Sequence, residues 1–196
     1  MTVEAVRQQA ANKAFGLDAP LPGYGVDVLQ WELEVFPGNP PMNFSGTIQQ
    51  AAGQINEINP EWYATYIQSA SEEGSRSVDK RGSFDKTFCG SGPHNWQAAF
   101  TPHVEEGIKH LDGAKGRPVN GPGPGNCGRV SCSYNSAIWW CNDKNRPQKL
   151  GSFGDIADGA RDLLDFCSAE EGVWVLGQVF MQWDWNVIVR WDEDSC

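Results

Sequence analysis

The first 88 residues of this chain contain no cysteine, and all six cysteines (Cys89, Cys127, Cys132, Cys141, Cys167 and Cys196) fall in the remainder of its 196 residues. Any covalent framework therefore staples the C-terminal part, and the first elements must hold by packing alone. Basic side chains are also scarce: 15 Lys and Arg face 25 Asp and Glu, for a net charge of −10. Binding to nucleic acid or to an anionic membrane needs clustered cations, so the deficit argues against both partners. No apolar run approaches the roughly 18 residues that span a bilayer, which argues against membrane insertion. Histidine is limited to His94, His103 and His110. Neither His-Glu-x-x-His nor Gly-x-Ser-x-Gly occurs, so no metalloprotease or serine-hydrolase signature is present.

What is there is enough for a core: 40% hydrophobic residues, with nine Trp and nine Phe. This predicts a soluble, acidic, Trp-rich globule of one domain, with or without an extra arm. The cysteine spacings of 38, 5, 9, 26 and 29 residues offer one knuckle at Cys127 and Cys132 but no second to complete a zinc site. No metal or cofactor is expected. An even cysteine count without zinc spacing reads as three disulfides in a secreted protein, against the alternative of a cytosolic protein with free thiols. The start Met1-Thr-Val-Glu-Ala-Val-Arg has no apolar stretch; for a secreted protein it stands where a signal peptide has been removed. The sequon Asn43-Phe44-Ser45 marks Asn43 as a glycosylation candidate.

Residues 1–24 read as an N-terminal arm or pro-segment. Val3, Val6, Ala10, Ala14 and Phe15 have helical spacing, and a Pro/Gly connector runs from Gly16 to Gly25. Residues 25–196 read as a single domain. Leu29, Trp31, Leu33 and Val35 alternate with polar residues, a half-buried strand. Thr47-Ile-Gln-Gln50 has the form of a capping box that opens a helix running to Asn59, before Pro60. A polar excursion over residues 61–84, with a helical turn at Trp62–Gln68, leads to a strand at Asp85–Cys89. Thr101 with Pro102 starts a second helix that Gly113 stops. Arg129–Tyr134 and Ala137–Asn142 form a hairpin, and Ser152 with Asp155 opens a third helix reaching Cys167. Two strands close the pattern: Val173–Met181, apolar on both faces, and Trp185–Trp191, which alternates and reads as one-sided.

The three helices share one face pattern: Ile48, Ala51, Ala52, Ile55; Val104, Gly107, Ile108, Leu111; Ile156, Gly159, Ala160, Leu163. A small residue at the second position lets a helix sit close on a sheet. Cys89 and Cys141 each lie 15 residues before the first member of such a set, as related strand–loop–helix units would place them. The whole predicts an α+β fold, a mostly antiparallel sheet with about three helices packed on it as an α/β sandwich, stapled by disulfides.

Candidate sites are few. The Gly/Pro run from Asn120 to Gly128 has alternating prolines that remove backbone donors, so it reads as a stiff connector or a ligand-contact loop and not as a phosphate cradle. His94 with Glu105 or Glu106 is a conceivable acid–base pair. Asp158, Asp162 and Asp165 form a solvated stripe on the third helix beside Asp155. Trp139 and Trp140 are neighbours on a strand, so they point to opposite faces and one is free to be exposed. Trp183 falls at a turn. Trp139, Trp140 and Trp183, with Arg129 and His94, are the candidate ligand contacts.

The runs CGRVSCSYNSAIWWCND, FGDIADGARDLLDFC and GQVF…WNVIVR…C, over residues 127–196, resemble small secreted cysteine-rich fungal proteins of the killer-toxin-like and necrosis-inducing effector families. The upstream WELEVFPG…SGTIQQ segment resembles the same class. The resemblance implies a disulfide-bonded α/β sandwich that acts outside the cell as a toxin or effector, by binding a protein or carbohydrate partner. The killer toxins are shorter and more basic, and a channel-blocking lysine does not transfer to a chain of charge −10. The alternatives from the residues alone are a carbohydrate or cell-wall binding protein using exposed Trp, and a secreted hydrolase with a His/carboxylate site. The oligomeric state is left open. The disulfide reading predicts that the non-reduced protein takes up no thiol-alkylating reagent in denaturant and that the reduced protein takes up six equivalents; labelling without reduction would return the free-thiol alternative.

Overall fold

The computed structural model describes residues 17–62, 64, 84–194 and 196. The N-terminal helix expected over residues 1–16 and most of the excursion before residue 84 lie outside them. The strands are β1 (Gly25–Val26), β2 (Gln30–Leu33), β3 (Met42–Ser45), β4 (Phe84–Cys89), β5 (Ala99–Phe100), β6 (Val119–Asn120), β7 (Asn126–Ser133), β8 (Ser136–Asn142), β9 (Gln148–Lys149), β10 (Ser168–Ala169), β11 (Trp174–Val175), β12 (Gly177–Met181) and β13 (Trp185–Trp191). Three α-helices of more than ten residues are among the described residues: α1 (Ile48–Ile58), α2 (Thr101–Gly113) and α3 (Gly154–Cys167). The main sheet has the order β1-β7-β8-β13-β12-β4. Its one parallel pairing is β1 with β7; the other four are antiparallel. The fold is thus α+β on a mixed, mostly antiparallel sheet.

Local chemistry explains the elements. Both halves of the α1 capping box are made: Gln50 N–H donates to Thr47 Oγ1 and Thr47 N–H to Gln50 Oε1. Asn59 ends α1, its side-chain amide donating to Val35 O. At α2 the expected cap is displaced by one residue. Phe100 is the N-cap, Thr101 is already helical, and the buried Thr101 Oγ1 has no hydrogen-bond partner. At α3 the box is half made, in the reverse sense: the Asp155 carboxylate accepts from the backbone of Gly151 and Ser152 and from Ser152 Oγ.

The shared face pattern is the helix–sheet interface. All twelve of its residues are buried, and its large members pack with Val130, Ile138, Trp140, Val179, Val187 and Val189 in one core. The small residues set the spacing. A Cβ on Gly159 would lie 2.8 Å from Val187 Cγ2, and one on Gly107 would collide with Ser131 Oγ, whose hydroxyl accepts from Gln49 Nε2. The resemblance between the two cysteine-bearing units stops at the covalent bonds. Cys89 pairs with Cys167 at the end of α3, Cys141 pairs with Cys127 across the β7–β8 hairpin, and Cys132 pairs with Cys196. On a chain-entropy argument the 14-residue loop contributes about 3 kcal/mol, and those of 64 and 78 residues about 4.5 kcal/mol each.

Three strand expectations are corrected. β2 carries the expected buried face of Trp31 and Leu33, but it pairs only with β3, in a separate two-stranded sheet. The run 173–181 breaks at Leu176: β11 joins β5 and β10, and β12 alone enters the main sheet. β13 is not one-sided. It lies between β8 and β12, with Asn186 and Ile188 as inaccessible as Val187 and Val189. Its second face is covered because Leu21, Val26 and Trp96 close over Trp139, Ile188 and the Cys127–Cys141 bond, with Leu17, Ala19 and Tyr24 packed alongside. Trp96 Nε1 donates to Pro20 O. Within residues 17–24, Leu21 is thus buried in a core and Leu17, Ala19 and Tyr24 pack against it.

A methyl group at Gly159 meets a β-branched residue that cannot retract. Gly159→Ala is expected to destabilise by roughly 1–2 kcal/mol, overpacking outweighing the gain in helix propensity. Gly53→Ala, where nothing lies within 4 Å of the new methyl, is expected to stabilise by up to about 1 kcal/mol. Urea denaturation of both variants checks the pair.

Candidate polar cleft at one end of the sheet

The antiparallel strands bring three connections to one end of the sheet: the Gly/Pro loop between β6 and β7, the segment after β8, and the Gln182-Trp183-Asp184 loop between β12 and β13. Backbone bonds tie them together, Gly125 N–H donating to Asn142 O and Asp143 N–H to Asp184 O, both at 3.0 Å. Beneath them lies a network of amides. Asn142 Nδ2 donates to Gly121 O at 2.7 Å and Arg146 O at 2.9 Å, while its Oδ1 accepts from Lys144 N–H. Asn120 Nδ2 donates to Asn126 O and Trp140 O. Asp27 Oδ2 accepts from Gly121 N–H and from Asn126 Nδ2. The loop is thus a close-packed connector: a Cβ on Gly123 would strike the carbonyl oxygens of Asn142 and Lys144.

These connections enclose a cleft of about 510 Å³ lined by Pro124, Asp143, Lys144, Asn145, Arg146 and Asp184. Its two carboxylates and two cations cancel in formal charge, within a chain of −10. Asp143 is held from behind. Its Oδ1 accepts from the Tyr24 hydroxyl at 2.9 Å and its Oδ2 from Asn186 Nδ2 at 2.8 Å, and Gln178 Nε2 donates in turn to Asn186 Oδ1. Asn186, read from sequence as lying on a wet face of β13, is therefore, together with Gln178 of β12, a buried support of a cleft wall. Burial pushes the Tyr24 phenol up to about 12, and the hydrogen bond to Asp143 and its charge push the same way. Asp184 follows Trp183, whose side chain is 75% exposed and whose carbonyl accepts from Gln148 Nε2. Both residues have positive φ, 78° and 56°.

The expected ligand contacts separate. Trp183 is exposed in the turn immediately before Asp184 of the cleft wall. Trp139 and Trp140 point to opposite faces as expected, but neither is exposed; both are wholly buried in the two cores. Arg129 is buried too. Its Nη1 donates to Asp192 Oδ2 and Asp194 O, and Asp192 also accepts from Trp139 Nε1 and Arg190 Nη2. Burial pushes the Asp192 carboxyl up, with Arg190 and Arg129 opposing. His94 stacks on Trp96 at 4.9 Å, and among the described residues no ion pair joins it to Glu105 or Glu106. The acidic stripe on α3 is also divided. Asp165 is exposed, Asp158 pairs with Arg161, and Asp162 is 2% exposed. Asn43 is exposed on β3. No group of three or more His, Cys, Asp or Glu side chains among the described residues is placed to hold a metal ion, and no helix among them is long and apolar enough to cross a membrane. The cleft residues Asp143, Lys144, Asn145, Arg146 and Asp184 carried no sequence signal beyond their place in turns.

No protein-family model, curated protein or solved structure matches this chain.

Tyr24 generates a pH expectation. Its folded pKa lies above the unfolded value of 10, so its contribution to stability is complete below pH 10 and is lost as pH rises toward about 12. Denaturation midpoints across pH 9–12 are expected to fall more steeply for the native chain than for Tyr24→Phe.

Proposed function

We propose that this is an extracellular protein that acts by binding, and that its ligand is a neutral carbohydrate seated in the cleft beside Trp183. The observation that carries this reading is the state of Trp183. A bulky side chain at positive φ costs roughly 1 kcal/mol or more, and an indole 75% exposed to solvent gains little burial in return. An exposed indole face suits the C–H face of a pyranose. The adjacent carboxylates, amide and cations of the cleft supply both acceptors and donors for sugar hydroxyls. The cancelling charges of the lining favour a neutral ligand over an anionic one. Three disulfides and the resemblance of residues 127–196 to killer-toxin-like and effector proteins support action outside the cell, at a wall or host surface.

A second reading has one observation in its favour. Asp143 and Asp184 line the same cleft, and paired carboxylates are the equipment of glycoside hydrolysis. Both Asp143 oxygens already accept internal hydrogen bonds, which leaves Asp184 as the carboxylate open to a ligand.

Soluble β-glucan and chitin hexamers, and their insoluble polymers, are the probes. The expected result is binding of one class with a change in Trp fluorescence, weakened at least tenfold in Trp183→Ser, or about 1.4 kcal/mol. Equal binding by Trp183→Ser would sink the reading. Chain shortening of the bound hexamer, lost in Asp184→Asn, would favour hydrolysis instead.

A further inference from the structure

At the opposite end of the sheet, a second aromatic surface is built from three separate stretches of chain: the β7–β8 turn, the β5–α2 junction and β11. Tyr134, in the β7–β8 turn, is 79% exposed, and its ring stacks on His103 of α2 at 4.7 Å and 24°. His103 meets Phe100 edge-on at 5.2 Å, and Phe100 meets Trp174 edge-on at 5.5 Å. Phe100 and His103 are half-buried, and Trp174 and Val173 are 37% and 41% exposed. The four rings form one continuous strip.

Two features set this strip apart from ordinary surface apolarity. The first is backbone cost. Tyr134 and Asn135 have φ of 45° and 63°, and Glu170 and Glu171, in the turn leading to Val173 and Trp174, have φ of 51° and 58°. Asn is at home there, but Tyr and Glu are not, and none of these exposed side chains recovers the cost by burial. The second is charge. Glu106 stands exposed one turn after His103 on α2, and Glu170 and Glu171 stand exposed in the turn before Trp174. Aromatic faces attract cations, and flanking carboxylates add to the attraction. The rings meet at 60° and 64° along most of the strip. They make walls rather than the flat platform a pyranose face needs.

We propose that this strip docks an extended peptide segment bearing Lys or Arg, the cationic side chains lying against the rings and pairing with the glutamates. The aromatic walls also suit the polyproline conformation, which binds with little ordering cost. The site is independent of the cleft at Trp183.

The test uses a decapeptide of alternating lysine and proline, with alternating glutamate and proline as its control, followed by titration calorimetry and Trp fluorescence. The lysine peptide is expected to bind and the glutamate peptide not to. Tyr134→Gly leaves the net charge unchanged and relieves a positive φ, so it is expected to raise Tm while weakening the peptide at least tenfold. Glu170→Gln with Glu171→Gln is expected to weaken it and flatten its salt dependence. Undiminished binding by Tyr134→Gly would reduce the effect to the overall charge of −10 and overturn the proposal. So would failure of the native chain to bind, or binding of a sugar hexamer that Tyr134→Gly abolishes. Trp183→Ser is expected to leave peptide binding unchanged.

Discussion

Trp139 and Trp140 are consecutive on one strand, face opposite sides of the sheet, and are both wholly buried. A strand that buries an indole on each side commits the fold to two covers, because leaving either face wet forfeits the largest apolar side chain on it. Three helices supply one cover, and their approach is fixed by Gly107 and Gly159. The other cover is made from what the helices leave over: Leu21, Val26 and Trp96, closing over Trp139, Ile188 and the Cys127–Cys141 bond. The polar residues Arg129, Gln178, Asn186 and Asp192 are buried on that second face. They are organised into two hydrogen-bonded clusters, Gln178–Asn186–Asp143–Tyr24 toward the cleft and Arg129–Asp192–Arg190 toward the other end.

This two-sidedness also explains how much was legible beforehand. The helix faces were readable because a period of 3.6 with a small residue at one position has a single structural meaning, and all three faces are buried as expected. The β7–β8 hairpin was readable from the Tyr-Asn-Ser link between two short runs, and the α1 cap from Thr47 and Gln50. The misreadings share one cause. Asn186 and Arg190 on one side of β13 look like a wet face, and Asp162 looks like part of a charged stripe, because sequence alternation reports side-chain polarity and not the presence of a second cover. Asn186 and Asp162 are buried because other chain segments lie over them. Adjacent tryptophans were read correctly as opposed but wrongly as partly exposed, for the same reason.

The candidate surfaces were less legible than the fold. Neither is made of neighbouring residues, and each is assembled by turns at one end of the antiparallel strands. At each end the most exposed aromatic ring sits on a left-handed turn residue, Trp183 at one and Tyr134 at the other. Such positions ordinarily favour Gly, Asn or Asp. An aromatic residue in a turn is visible in a sequence, but its sign of φ is not. The cleft also depends on a buried support, from Gln178 through Asn186 to Asp143, whose first link joins residues eight apart in the chain and whose second joins residues 43 apart.

The position of β13 has a consequence for how the chain comes to be folded at all. It pairs with β8 on one side and β12 on the other, so the β1-β7-β8 half and the β12-β4 half meet only through it. It is also the latest of the six strands to leave the ribosome. Until residue 191 has been synthesised, β8 offers an open edge and the covers of both faces have only part of a sheet to close on. Assembly of the sheet therefore follows translation of nearly all the residues described, with the slow, non-local pairing and exposed strand edges that such an order entails. A chain of this kind depends on the compartment where it folds as much as on the contacts it ends with.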